Sequence, residues 1–120
     1  MALDRIRQLH GLDVEQGLKN CMDDESLYLS IIEMYINQLQ ENLPELEELF
    51  NTSDWAAYGR TCHAIKGASA SVGACQIQEF SARMEAAGKS SDAHLLTEQH
   101  ASFTQLLQST VGNLTAATQT

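Results

Sequence analysis

The sequence has few of the features that mark strand-rich, membrane-spanning or secreted proteins. One proline in 120 residues and the lack of long β-branched runs favour helix throughout. No apolar run approaches the length of a membrane span, and no apolar segment before a small-residue cleavage site indicates a secretory signal. The three cysteines, Cys21, Cys62 and Cys75, form no paired motif. We therefore expect a reduced, cytoplasmic protein.

Basic residues are also scarce. Seven lysines and arginines stand against sixteen acids, which gives a net charge of −9 at neutral pH. The average field of such a chain repels phosphate backbones and anionic lipid, so we expect neither nucleic acid nor a membrane as a partner. No glycine-rich phosphate loop or kinase motif is present, and His10, His94 and His100 have no partner at a ligand spacing. We expect no metal site and no ATP site.

Apolar residues recur at steps of three or four along most of the chain, which is the helical period. Pro44 predicts a kink in the longest helix, near residues 40–43, in preference to a break. The tail, Thr115 to Thr120, is small and polar, and we expect it to fray. The predicted helices cover about residues 14–20, the stretch from acids 23–25 to Phe50, residues 54–72 with Gly73 as C-cap, residues 75–87, and the region from residue 93 onward.

Helices of this length joined by short turns favour an all-α, antiparallel four-helix bundle. The helix at 14–20 adds a short N-terminal element, and residues 1–120 form a single domain. We expect Cys21 and Cys75 to fill core space. The inward stripe of the longest helix is predicted to comprise Leu27, Ile31, Tyr35, Leu39, Leu43, Leu46 and Phe50.

The stretch CHAIKGASASVGA, residues 62–74, lies on the third of these helices. At about 100° per residue, His63 points away from the buried side and should face water. Cys62 is turned toward the core, so the two do not form a nucleophile pair. The predicted buried side comprises Tyr58, Cys62, Ile65, Ser69 and Val72.

Small residues and two bases surround this histidine. Gly59 and Gly67 lie within about 40° of His63 on the helical wheel, and Ala70 follows two turns on. Each glycine costs a helix about 0.5–1 kcal/mol, so a structural purpose for both on a solvent-facing side is hard to find. Bare backbone would leave the imidazole open to a bulky partner. Arg60 and Lys66 flank the ring with positive charge, which would attract a phosphoryl group.

The segment HAIKGASASVGA, residues 63–74, resembles the signature H-x-[LI]-K-G-[SA]-[SA]-x-x-[VIL]-G-[AL] of histidine-containing phosphotransfer (Hpt) domains. The similarity extends over about residues 11–108. It includes the segments DDESLYLSIIEMYINQL, NTSDWAAYGRTCHAIKG and IQEFSARMEAAG. In that family a histidine accepts a phosphoryl group from the aspartate of a receiver domain and passes it to another receiver.

The resemblance implies a role for each matching residue. His63 would be the phosphoacceptor, Lys66 would contact the phosphoryl oxygens, and Gly67 would keep the ring accessible, as Gly59 could also do. The helical wheel adds Arg60 as a second contact to these oxygens and Ala70 as part of the partner interface. On the following helix, Glu85 would orient the imidazole by accepting its Nδ1 proton.

The resemblance also implies the partners. These are response-regulator receiver domains, including that of a hybrid sensor kinase. The protein would be a phosphoryl carrier without kinase activity or a cofactor of its own, and the magnesium ion would belong to the receiver. The small exposed patch around His63 suits transient contact better than a permanent interface, so we expect a monomer.

Three alternatives remain open from the sequence. A receiver-binding adaptor would use the same face without phosphotransfer. A metal- or haem-carrying bundle would need inward-facing ligands on at least two helices, and the expected glutamate–histidine pairs are missing. A lone exposed histidine is usually an ordinary solvated residue, which favours a plain structural bundle. That alternative requires the two glycines beside the histidine to be a coincidence.

Overall fold

The computed structural model describes residues 2–119, and over that range the chain forms six helices and no strand. The first helix was not predicted from the sequence. The helices are α1 (Ala2–Arg7), α2 (Val14–Asn20), α3 (Glu25–Asn51), α4 (Trp55–Val72), α5 (Cys75–Lys89) and α6 (Ala93–Thr118).

Aspartate side chains begin four of these helices. Asp13, Asp24, Asp54 and Asp92 each accept a hydrogen bond from a backbone N–H in the first turn, which satisfies a donor that has no partner within the helix. Helix α4 ends at Gly73, whose φ of 81° lies in the left-handed region that glycine adopts without strain. The predicted bounds of α2 and the predicted C-cap of α4 are confirmed.

Helices α3, α4, α5 and α6 pack in a closed ring, in which each contacts the next and α6 returns to α3. Short connections between successive helices make neighbours antiparallel. Helix α1 packs on α6, and α2 packs on α3 and α4. The predicted all-α bundle is confirmed, with α1 as a second short N-terminal helix.

The predicted inward face of α4 is confirmed, since its five residues are fully buried: Tyr58, Cys62, Ile65, Ser69 and Val72. The predicted stripe of α3 is wrong at its start. Leu27 is 43% exposed, and Tyr28 takes the core position instead. On a helix, Tyr28 lies within about 20° of the buried Tyr35, whereas Leu27 lies about 80° away. Helix α3 continues through Pro44 as one helix.

The predictions for the tail and for Cys75 are also wrong. Helix α6 runs to Thr118 because Leu114 and Ala117 are buried in the bundle. The Arg5 guanidinium donates to the carbonyl oxygens of Ala117 (2.9 Å) and Gln119 (3.2 Å), which satisfies the end of the helix. Thr120 lies outside the described residues.

Cys75 does not fill core space. It occupies the first position of α5 and is exposed, and its thiol donates to the Gly11 carbonyl oxygen at 3.4 Å. In this turn the core position belongs to Ile77, which lies about 160° from Cys75 on the helical wheel. Cys21, in contrast, is buried as predicted.

Candidate functional site

His63 lies on the outer face of α4, and its side chain is 68% exposed. Its Nδ1 lies 2.8 Å from Oε2 of Glu85 on α5. Because an ionised carboxylate can only accept a hydrogen bond, Nδ1 carries the proton and the lone pair of the neutral ring resides on Nε2. Within residues 2–119, Nε2 has no hydrogen-bond partner.

Glu85 is buried, with only 5% of its side chain exposed, although it lies beside an exposed histidine. Its two oxygens accept from three groups. Lys66 Nζ lies 2.7 Å from Oε1, while Lys89 Nζ (3.1 Å) and His63 Nδ1 (2.8 Å) share Oε2. The hydrogen bond from Lys66 has the largest effect on the pKa of Glu85, and those from Lys89 and His63 add to it. Together they lower this pKa to about 2 against the opposing effect of burial.

Two glycines bring α5 close enough to place Glu85 under the histidine. A Cβ added to Gly59 on α4 would lie 3.2 Å from the Glu85 carbonyl oxygen, and one added to Gly88 on α5 would lie 2.8 Å from the Gly59 Cα. The expectation that Gly59 is a solvent-facing residue is therefore wrong. Its offset of about 40° from His63 is toward α5, and it packs in the interface between the two helices.

Gly67 differs from Gly59. It is exposed, and a Cβ added to it would meet no atom within 4 Å. This geometry agrees with the expectation of open backbone beside the ring. Ala70, further along the same side of α4, is partly buried, and its carbonyl oxygen accepts from Asn20 Nδ2 at 3.2 Å.

Of the two bases predicted to flank His63, Lys66 contacts Glu85 beside the histidine, but Arg60 does not. Arg60 lines a groove between α3 and α4 that also contains Glu45 and Glu48 and that His63 does not line. At +60° from His63 on the wheel, Arg60 faces α3, whereas Lys66 at −60° faces α5. The flanking pair predicted from the wheel thus contributes one lysine to the histidine, and the second cation at Glu85 is Lys89.

Sequence reasoning missed Lys89. The available signal was its spacing, since Glu85 and Lys89 are four residues apart on α5, an arrangement that allows an ion pair. The importance of that pair was hidden because the sequence does not show that Glu85 approaches His63.

A surface formed by α3 and α4 was also missed. Met34 is 68% exposed, and a shallow apolar groove is lined by Ile31, Met34, Tyr35, Gln38, Ala68, Ser71 and Val72. We call this groove the α3–α4 apolar surface. Gln38 Nε2 donates to the carbonyl oxygen of Ala64, the residue after His63, at 3.3 Å. The surface therefore adjoins the histidine.

A second histidine pairs with a carboxylate elsewhere in the bundle. The His100 side chain on α6 is 7% exposed, and its Nδ1 lies 2.7 Å from the Tyr58 hydroxyl. Its Nε2 lies 3.0 Å from Oε1 of Glu47, and the ring stacks on Phe50 with centroids 3.9 Å apart. Both ring nitrogens are occupied, so His100 has no lone pair available to a ligand.

An all-helical bundle in which a buried carboxylate orients a solvent-exposed imidazole fits the class of proteins that carry a group on histidine. A comparison with protein families supports this class, because the family model described as "Hpt domain" matches residues 30–116. The chain belongs to the Hpt domain family, whose members are phosphocarriers of histidine phosphotransfer and interact with receiver domains. No curated protein and no solved structure shows a statistically significant match to the chain.

None of the helices within residues 2–119 has the length and apolar character needed to cross a membrane. In the same range, no three histidine, cysteine or acidic side chains converge so as to hold a metal ion.

Proposed function

We propose that this chain carries a phosphoryl group on His63 between the aspartates of receiver domains in a multistep two-component phosphorelay. The observation that carries the proposal is the His63–Glu85 hydrogen bond, which fixes the proton on Nδ1 and leaves Nε2 free on a largely exposed ring. His63 lies within the part of the chain that the family model matches.

The proposed step is an in-line transfer. The Nε2 lone pair attacks phosphorus, an N–P bond forms, and the P–O bond to the aspartate of the receiver breaks so that the aspartate leaves as a carboxylate. The ring keeps its Nδ1 proton and gains positive charge, which the Glu85 carboxylate offsets at 2.8 Å. Transfer to a second receiver is the reverse of the same step.

Lys66 and Gly67 serve this transfer in different ways. Lys66 is 34% exposed and approaches the ring from the α5 side, where its charge stabilises the phosphoryl oxygens. Gly67 leaves room for the receiver backbone on the other side. We expect the magnesium ion to be held by the receiver and the chain to need no cofactor of its own.

The α3–α4 apolar surface supports a receiver as the partner. It adjoins His63, exposes Met34, and is small enough for the transient contact that a shuttle requires. We propose that a receiver covers both this surface and Ala70 when it reaches His63. The carrier would act as a cytoplasmic monomer, and one donor would be the receiver of a hybrid sensor kinase.

The experiment is incubation with a receiver phosphorylated on its aspartate, followed by measurement of acid-labile phosphate on this chain. We expect label on the wild type and on His94→Gln, which removes another exposed histidine, and none on His63→Gln. A receiver that binds wild type and His63→Gln equally, with label on neither, would favour the adaptor function instead.

A further inference from the structure

Lys89 lies beside Glu85 at the site, but the phosphoryl transfer proposed above gives it no role. Its Nζ lies 3.1 Å from Oε2 of Glu85, the same oxygen that accepts from His63 Nδ1 at 2.8 Å. Lys66 occupies the other oxygen at 2.7 Å. The lysine side chains differ in exposure, because Lys66 is 34% exposed and Lys89 is 74% exposed.

A carboxylate this close to an imidazole has two opposing effects. It holds the ring in the tautomer that leaves Nε2 free, but its negative charge also favours a second proton on that ring. A doubly protonated imidazole has no lone pair and cannot attack phosphorus. A buried carboxylate with no cation beside it would therefore orient the imidazole but also favour the protonated ring, which cannot act as a nucleophile.

From this geometry we infer that Lys89 is a positioning residue that keeps His63 neutral by sharing the Glu85 oxygen to which the ring is bound. Its charge offsets that of the carboxylate at the atom nearest the imidazole, while the hydrogen bond that sets the tautomer remains. The value of this arrangement for transfer rests on the function proposed above, but its effect on the ring does not.

The other charged groups near the histidine do not replace Lys89. On α4, Lys66 binds the far oxygen of Glu85, and Arg60 faces the groove toward α3. On α3, Glu45 accepts from the Thr61 hydroxyl at 2.7 Å, and Glu48 lines the same groove. Beneath the ring, burial raises the pKa of the Cys62 thiol to about 12, so it stays uncharged.

The test measures the fraction of neutral ring without a receiver. Diethyl pyrocarbonate acylates neutral imidazole, and mass spectrometry of the digested protein gives the modification rate at each histidine as a function of pH. The variants are Lys89→Gln, Lys89→Arg as a conservative replacement, and Lys19→Gln, which removes an equal charge from α2. His10, beside the N-terminal end of α5, is the internal reference.

The acidic limb is the pH range over which the modification rate of His63 rises as the ring loses its second proton. In Lys89→Gln we expect this limb to move to higher pH by about half a unit, which is equivalent to about a threefold lower rate at a given pH on the limb. Lys89→Arg should restore the wild-type limb, and Lys19→Gln and His10 should show no displacement. A His63 limb that moves no further in Lys89→Gln than in Lys19→Gln would overturn the inference. A displaced limb in a protein that accepts no phosphoryl group would sustain it and refute the proposed function alone.

Discussion

Two histidine–carboxylate pairs of this bundle each combine one buried and one exposed side chain, but in opposite order. At the contact of α4 and α5, the ring of His63 is 68% exposed and the carboxylate of Glu85 is 5% exposed. Where α6 meets α3 and α4, the ring of His100 is 7% exposed and the carboxylate of Glu47 is 52% exposed.

This inversion shows that burial, and not the residue types, determines what a histidine–carboxylate pair can do. His63 has one ring nitrogen bound and one free, so it can react or bind. His100 has both nitrogens bound and a phenyl ring stacked on it, so it contributes to the stability of the fold. Four variants test this contrast, beginning with the largest expected effect.

Replacing His100 with leucine should reduce the free energy of unfolding by about 3 kcal/mol. The buried Tyr58 hydroxyl loses its acceptor, and Phe50 loses its stacked neighbour. Urea denaturation followed by circular dichroism measures the change, with exposed His94→Leu as a control expected within about 0.5 kcal/mol of wild type. The folded variant should still accept phosphate on His63, and loss of labelling there would break the contrast.

Replacing Gly88 with alanine should destabilise the protein by about 2 kcal/mol. The added Cβ would lie 2.8 Å from the backbone of Gly59 and from the Trp55 carbonyl oxygen, so α4 and α5 must separate. Separation also draws Glu85 away from His63, and labelling by a phosphorylated receiver should fall. Unchanged stability and labelling would show that the glycine contact does not set the position of Glu85.

Glu85→Gln should lower the free energy of unfolding at pH 7 by about 1 kcal/mol, because charge-assisted bonds to two partly exposed lysines are lost. Folding lowers the pKa of Glu85, so its contribution is complete above the unfolded pKa and is lost as the pH falls toward the folded pKa. Denaturation curves from pH 7 to pH 2 should show the two proteins converging in acid. A difference that stays constant with pH would contradict this ion pairing.

Gly67→Ala should raise the free energy of unfolding by about 0.5–1 kcal/mol, since alanine favours helix and the added methyl meets no neighbour within 4 Å. Gly112→Ala on α6 is a matched control, because its Cβ also has open space. Both variants should be more stable in urea, but only Gly67→Ala should slow transfer from a receiver. Equal transfer in the two would indicate that the open backbone at Gly67 serves no access role.

Local chemistry allowed much of this fold to be predicted from the sequence. The aspartate caps, the Gly73 stop and the period of the apolar residues depend on neighbours a few positions away, so α2, the end of α4 and the outward direction of His63 followed from them. The same period missed the first turn of α3, where one residue decides whether Leu27 or Tyr28 enters the core.

The errors arose where a second helix decides the outcome. A wheel gives the direction of Gly59 relative to His63, but it does not show that α5 passes on that side. For the same reason, the wheel wrongly grouped Arg60 with Lys66 at the histidine. It also gave no sign of the contacts of Lys89 and His100. Each of these depends on contacts between residues distant in sequence, which periodicity does not encode.

The C-terminal half of α4 is fastened by three side chains. The Tyr28 hydroxyl donates to the Val72 carbonyl oxygen at 2.8 Å, Tyr35 and Ser69 share a hydrogen bond of 2.7 Å, and Asn20 binds the carbonyl oxygen of Ala70. Each of these hydrogen bonds opposes sliding or rotation of the helix when another molecule binds to it. The backbone that carries the imidazole is therefore rigid. Conformational changes on binding are expected in the lysine side chains and in the partner.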